Sequence, residues 1–216
     1  SGGPRLDQRV SASGRWQPGA FSVATTDAIT HLRNADFKPV ELEWRIVDGK
    51  GYVLALDGNA RTRLLAASEL TADAKPFERF EIGALHSFGA SLLPKSKVVD
   101  STVLRDYDTY YYSREPHTMT GGNSKPLPIL RMKFDDPNST WLHLDPYTGS
   151  VINQLDTHRR VGRWLFAFLH SFDWLPLLNN RPIWDIWMIL ISLGGLVTSA
   201  TGIVIGWRRL RLKFAG

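Results

Sequence analysis

Cysteine is absent from this chain, so thiol nucleophiles and thiolate metal ligands are excluded, and ligation chemistry falls to six histidines. His170 has the most pointed setting. It stands in Leu169-His170-Ser171-Phe172, inside an aromatic stretch that also holds Trp164, Phe166, Phe168 and Trp174. A neutral imidazole among aromatic rings in a low dielectric suits an axial ligand of a haem b. The other reading is a histidine at a membrane surface, hydrogen-bonded to a backbone carbonyl or a lipid headgroup. His86 is the second candidate ligand, because Leu85-His86-Ser87-Phe88 repeats the four residues around His170. A bis-histidine site needs two such residues on facing elements, and coincidence is the favoured account of the echo.

The remaining polar residues read more simply. His143 sits in an alternating strand beside Trp141 and is expected to be an ordinary sheet residue. His158 lies among Arg159, Arg160 and Arg163, a cluster suited to phosphate headgroups. Asp135, Asp136 and Asp145 could collect a cation, but each also falls at a turn, and turn chemistry is the favoured role. Nothing resembles a nucleophile–base–acid set, a phosphate loop or a zinc motif. Catalytic residues are therefore assigned to no position.

The elements that must place these residues are legible in part. Residues 1–20 are rich in Gly, Ser and Arg and read as a linker. Residues 21–35 read as a helix, with Thr25-Thr26-Asp27 ahead of Ala28, Ile29 and Leu32. Residues 40–46 and 52–56 alternate at period two around Asp48-Gly49, which predicts a hairpin, and Arg63-Leu64-Leu65 adds a third strand. Together they define a unit over 21–75. Residues 76–125 read as a connection, with helical spacing from Phe80 to Leu92 and a Gly/Ser/Thr/Asn loop at 117–125. A second β unit spans 126–157, with strands at 128–134, 140–144 and 151–152. A helix–strand–strand pattern thus occurs twice, which raises an internal duplication.

The C-terminal third has a different chemistry. Residues 158–182 are amphipathic and aromatic, too short in apolar content to cross a bilayer, and read as an interfacial helix. Residues 183–208 read as a transmembrane helix. The run 186–207 carries no charge and is long enough to cross the hydrocarbon core. Trp164 and Arg163, then Trp184, Trp187 and Trp207, fall where aromatic belts and headgroup contacts belong. The tail 209–216 is basic, and with Arg208 and Arg209 it predicts a cytoplasmic C-terminus. Arg208, Arg209, Arg211 and Lys213 supply four of the net +5 charges, which leaves +1 for residues 1–207. The basicity is a topology signal and nucleic acid is not an expected partner. Gly195, Ser199, Gly202 and Gly206 recur at i, i+4, i+7 and i+11, a stripe of small residues on which another helix could pack closely. The chain opens Ser1-Gly2-Gly3-Pro4 with no signal peptide, so a processed chain or a fragment of a longer protein is expected.

Two groups of residues carry a resemblance. Trp141-Leu142-His143-Leu144-Asp145-Pro146-Tyr147-Thr148-Gly149-Ser150-Val151 resembles the end of a PepSY domain, where a strand enters a DPxTG turn and a last strand. Arg159-Arg160, Arg163-Trp164, Leu169-His170, Thr201-Gly202 and Gly206-Trp207-Arg208-Arg209 resemble the PepSY-associated transmembrane family of bacterial inner membranes. The resemblance covers residues 100–210 by motif and 20–70 by pattern. It implies an α+β fold of two PepSY-like units, each a helix packed on a small antiparallel sheet. It also implies a periplasmic location for the bulk of the chain and a link to iron or siderophore uptake. Some members of that family are thought to be haem-containing ferric-siderophore reductases, which would give His170 and His86 a cofactor. Family members usually have several spanning helices and Gly-rich sequence after the Leu-His pair, whereas this chain has one such helix and Ser171-Phe172-Asp173-Trp174. The favoured expectation is therefore a non-catalytic accessory subunit, with other transmembrane subunits and the lipid bilayer as partners. A haem-dependent reductase is the alternative, and a PepSY-type peptidase regulator ranks last.

Overall fold

The computed structural model describes residues 21–68, 74–112, 125–169, 172, 174, 176–177 and 180–214. It is an α+β protein with two small antiparallel sheets and a long C-terminal helix. Helix α1 (Thr25–Asn34) precedes strands β1 (Pro39–Val47), β2 (Lys50–Asp57) and β3 (Thr62–Ala66), which form the first sheet in that order. Helix α2 (Ile82–Leu92) precedes β4 (Val98–Leu104), β5 (Ile129–Phe134), β6 (Trp141–Leu144) and β7 (Val151–Leu155), which form the second sheet in that order. The linker read at 1–20 lies outside the described residues.

Local chemistry explains the first sheet. Asp48 and Gly49 both hold positive φ, 51° and 72°, and link Val47 to its partner Lys50, so the β1–β2 turn is the two-residue primed type that the Asp-Gly pair favours. Strand β2 is central and covered on both faces. Val53 and Ala55 face α1, where Ala28 and Leu32 are fully buried. Leu54, with its partner Leu64, faces the other way into a larger core shared with Leu85, Phe88 and Leu92 of α2 and with Leu130, Met132, Leu142 and Leu144 of the second sheet. One continuous apolar core therefore joins the two units.

Polar contacts fix how the units meet. Arg45 of β1 donates to the Thr148 carbonyl and to Ser150 Oγ in the β6–β7 turn. Phe80 N–H donates to the Pro146 carbonyl at 2.8 Å, and the Phe80 ring meets Tyr52 edge-on at 4.9 Å. The Asp145-Pro146-Tyr147-Thr148-Gly149 turn is built as its sequence predicts. Asp145 accepts from Tyr147 N–H and Thr148 Oγ1, and Gly149 takes a φ of 69°. Asp136 likewise accepts from the amides of Asn138 and Thr140 in its own turn, whereas Asp135 departs from the turn reading and accepts from Lys97 N–H beside the start of β4.

Three boundaries differ from the sequence reading. The stretch read as a connection over 76–125 contains β4 and the helix that covers the second sheet, so the second unit begins at α2. The helix–strand–strand repeat becomes a helix with three strands followed by a helix with four. The segment 158–182 is not one helix: α3 (Thr157–Gly162), capped by Asp156 accepting from Arg159 N–H, passes into a π-helical turn at Arg163–Phe168. The last helix, α4 (Arg181–Phe214), is 34 residues long, about 51 Å at helical rise.

Gly149 tests the junction between units. A Cβ there would stand 2.8 Å from Val47 Cγ2 and 2.9 Å from Phe80 Cε2, at a positive φ. Gly149→Ala is expected to cost about 2–4 kcal/mol in denaturant unfolding. Gly49→Ala, at similar φ but with open space, should cost about 1 kcal/mol. Equal costs would mean that the close approach contributes nothing.

Candidate functional site

The face of the second sheet that turns away from the shared core carries Arg131 and Lys133 of β5 opposite His143 and Trp141 of β6. A charged guanidinium and an imidazole on such a face would normally remain wet. Here they are covered: Arg131 is 6% exposed and His143 fully buried. The cover is the strap 105–112 that follows β4, with Tyr111 fully buried and stacked on the His143 ring at 5.1 Å.

Each nitrogen of the Arg131 guanidinium donates to an acceptor. Nε donates to His143 Nε2 at 2.8 Å, and the two terminal nitrogens donate to the Asp108 carboxylate at 2.6 and 2.8 Å. This two-pronged pairing is the geometry in which guanidinium and carboxylate bind best. Asp108 is held in turn by the amides of Tyr110 and Tyr111 of its own strap. Burial pushes the Asp108 carboxyl upward, but Arg131 and those amides outweigh it and hold the group below the usual range. Tyr107 and Tyr111 anchor the far side of the strap by donating to the carbonyls of Lys125 and Pro126.

His143 must be neutral, since Nε2 accepts a hydrogen bond and the ring proton therefore sits on Nδ1. Among the described residues Nδ1 has no acceptor in hydrogen-bond geometry. Burial first, then the charge of Arg131, pushes its pKa down to about 3 against a weaker opposing pull from Asp108.

The strap also meets the α3–π segment that precedes α4. Arg163 Nε donates to the Thr109 carbonyl at 2.6 Å and its guanidinium lies 3.6 Å from the centre of the Tyr112 ring. Trp164 Nε1 donates to Tyr110 Oη at 3.0 Å. Arg160 donates to the Ser139 carbonyl and covers Trp141 at 4.7 Å, while Arg159 donates to the Gln154 carbonyl. The arginine cluster that reads as a headgroup contact thus has these hydrogen bonds within the protein. Trp164 remains 47% exposed.

Other candidate residues distribute as follows. His86 is half-buried on α2, against the core face of the second sheet, whereas the π turn docks on the strap over the opposite face. The sheet therefore separates His86 from that turn; His170 lies outside the described residues. Trp184 is buried within the chain at 4% exposed, unlike Trp187 and Trp207 at 45% and 64%. Trp187 packs edge-on with Phe172 at 6.1 Å. A Cβ added at Gly195, Gly202 or Gly206 would meet nothing within 4 Å, so the small-residue stripe is open. Ser199, Arg208 and Arg209 are exposed on the same helix. Among the described residues no group of three His, Asp or Glu side chains could hold a metal ion. An open cleft of about 860 Å³ between the start of α2 and the end of β4, with Arg79 and Arg105 among its lining residues, includes none of the candidates.

The sequence placed His143 and Trp141 on one face but gave no sign that the face was covered. The four tyrosines at 107 and 110–112 beside Asp108 are the signal that could have shown it. No family model, curated protein or solved structure matches the chain.

Removing the carboxylate charge tests the buried pair. Asp108→Asn keeps the shape but weakens the hold on Arg131, whose partner is itself partly exposed, and is expected to cost about 1–2 kcal/mol in urea unfolding. Arg131→Met with Asp108→Asn should recover part of that loss. No recovery would mean that the charge pair is not what the strap depends on.

Proposed function

We propose that the chain is a membrane-anchored, non-catalytic subunit of a larger inner-membrane assembly. Its α+β domain stands on the periplasmic side and its C-terminus in the cytoplasm. The observation that carries this reading is α4. Within the span Pro182–Leu212 the most apolar 18-residue window has a mean hydropathy of 2.1 and is 0% buried within the chain. Water does not tolerate so long an unpartnered apolar helix, whereas a bilayer does. Arg208, Arg209 and Arg211 at its end support the cytoplasmic orientation. The open face at Gly195, Gly202 and Gly206 supports a second transmembrane helix as the partner. A PepSY-type role in a redox or iron-uptake complex rests on the DPxTG turn and the tryptophan–arginine exit alone.

Membrane fractionation of the full chain in a bacterial host tests the anchor. The protein should resist alkaline extraction, and removal of residues 181–216 should release it. Extraction of the intact chain would sink the reading. Replacing Gly195, Gly202 and Gly206 with Leu should keep the chain in the membrane but abolish disulfide-free crosslinking to its partner. An absorption spectrum of the detergent-purified protein separates the subunit from a haem reductase. A Soret band that sharpens its α bands on reduction and vanishes in His170→Ala would replace the present reading with electron transfer.

A further inference from the structure

The strap 105–112 touches two bodies at once. On one side Asp108 grips Arg131 of the second sheet, and on the other Thr109, Tyr110 and Tyr112 hold Arg163 and Trp164 of the juxtamembrane turn. The grip on Arg131 is shared with His143, which accepts from the guanidinium at 2.8 Å. A protonated imidazole cannot accept that bond, and it would set a second cation against Arg131 inside a closed pocket. The groups around the ring offer little relief. Arg131 and Lys133 of β5 and Lys125 beside Tyr111 are cationic, and the pull toward protonation comes from Asp108, already bonded to Arg131, and from the Asn153 backbone of β7.

We propose that the strap is an acid-released coupling between the extramembrane domain and its membrane helix. While His143 is neutral, the strap clamps the juxtamembrane turn to the second sheet. When His143 takes a proton, the strap lifts from Arg131 and frees that turn. The inference rests on α4 being a membrane anchor, although the clamp itself needs no membrane.

The sign follows from linkage. The proton binds the open form near the ordinary histidine value of 6.5 and the closed form only near 3, so acid favours opening throughout that window. Between pH 7.5 and 4.5 the open-to-closed ratio should rise about a hundredfold. Carboxylates held below their usual range, such as Asp57, Asp100 and Asp108, act at lower pH.

Because the chain has no cysteine, nitroxide labels can be placed at Asp106→Cys on the strap and His158→Cys on α3, both exposed, in the full chain in lipid nanodiscs. Electron spin resonance should give one narrow distance at pH 7.5 and a second, longer population at pH 4.5, with circular dichroism unchanged. Adding His143→Gln, which still accepts from Arg131 but does not titrate, should keep the narrow distance at both values. Asp108→Asn should open the strap at pH 7.5 without acid, which keeps the test intact if the glutamine variant folds poorly. An unchanged distance at pH 4.5, the same transition in His143→Gln, or opening that coincides with loss of sheet signal would each overturn the proposal. Flotation of the same samples with phospholipid vesicles reports the anchor separately: failure to float removes the membrane reading and leaves the clamp to stand or fall by the distances.

Discussion

Arg131 carries a full charge at 6% exposure on a sheet face, and a guanidinium removed from water must find fixed acceptors for its donors or unfold the region that buries it. Those acceptors come from two places far apart in sequence. His143 is presented by the neighbouring strand in register, and Asp108 arrives on a strap that the strand pairing does not otherwise require. Once Asp108 is in place, the tyrosines beside it are committed as well. Tyr111 covers the imidazole, while Tyr110 and Tyr112 offer a hydroxyl and a ring to the next segment. The position of the π turn thus follows from how one buried charge is satisfied.

The other face of the same sheet obeys simpler physics. Leu130, Met132, Leu142 and Leu144 meet α2 and the inner face of the first sheet in one apolar core. Gly89 of α2 is the point of closest approach. A side chain there would collide with Met132 and Leu144, both fully buried. The second sheet therefore divides its labour by side: apolar contact fixes the two units to each other, and a polar network fixes them to the segment that precedes α4.

This division explains what the sequence could and could not reveal. Alternation and Asp-Gly punctuation located β1 and β2, because a strand with a turn of special φ leaves a local trace. The C-terminal helix announced itself by the length of its apolar run. Strand β4 left no such trace. At the edge of its sheet, Val-Val-Asp-Ser-Thr-Val-Leu is exposed or half-buried throughout, so no period of two survives in its composition. The π turn at 163–168 was equally silent, and the partners of its Arg163 and Trp164 lie on a segment 54 residues earlier. His143 was assigned correctly to a strand, but the cover over its face was not foreseen. Period-two logic identifies which residues share a face but says nothing about what later crosses it.

The exposed edge at β4 has a consequence of its own. Its pairing with β5 slips between Val98 and Asp100, and Asp100 reaches across to Lys133 at 2.8 Å. An unprotected strand edge can recruit its twin into a continuous ribbon. An irregular ladder and an acidic side chain on the rim are the means by which natural sheets refuse that pairing. The irregularity of β4 thus makes this edge a poor template for a second copy of the chain.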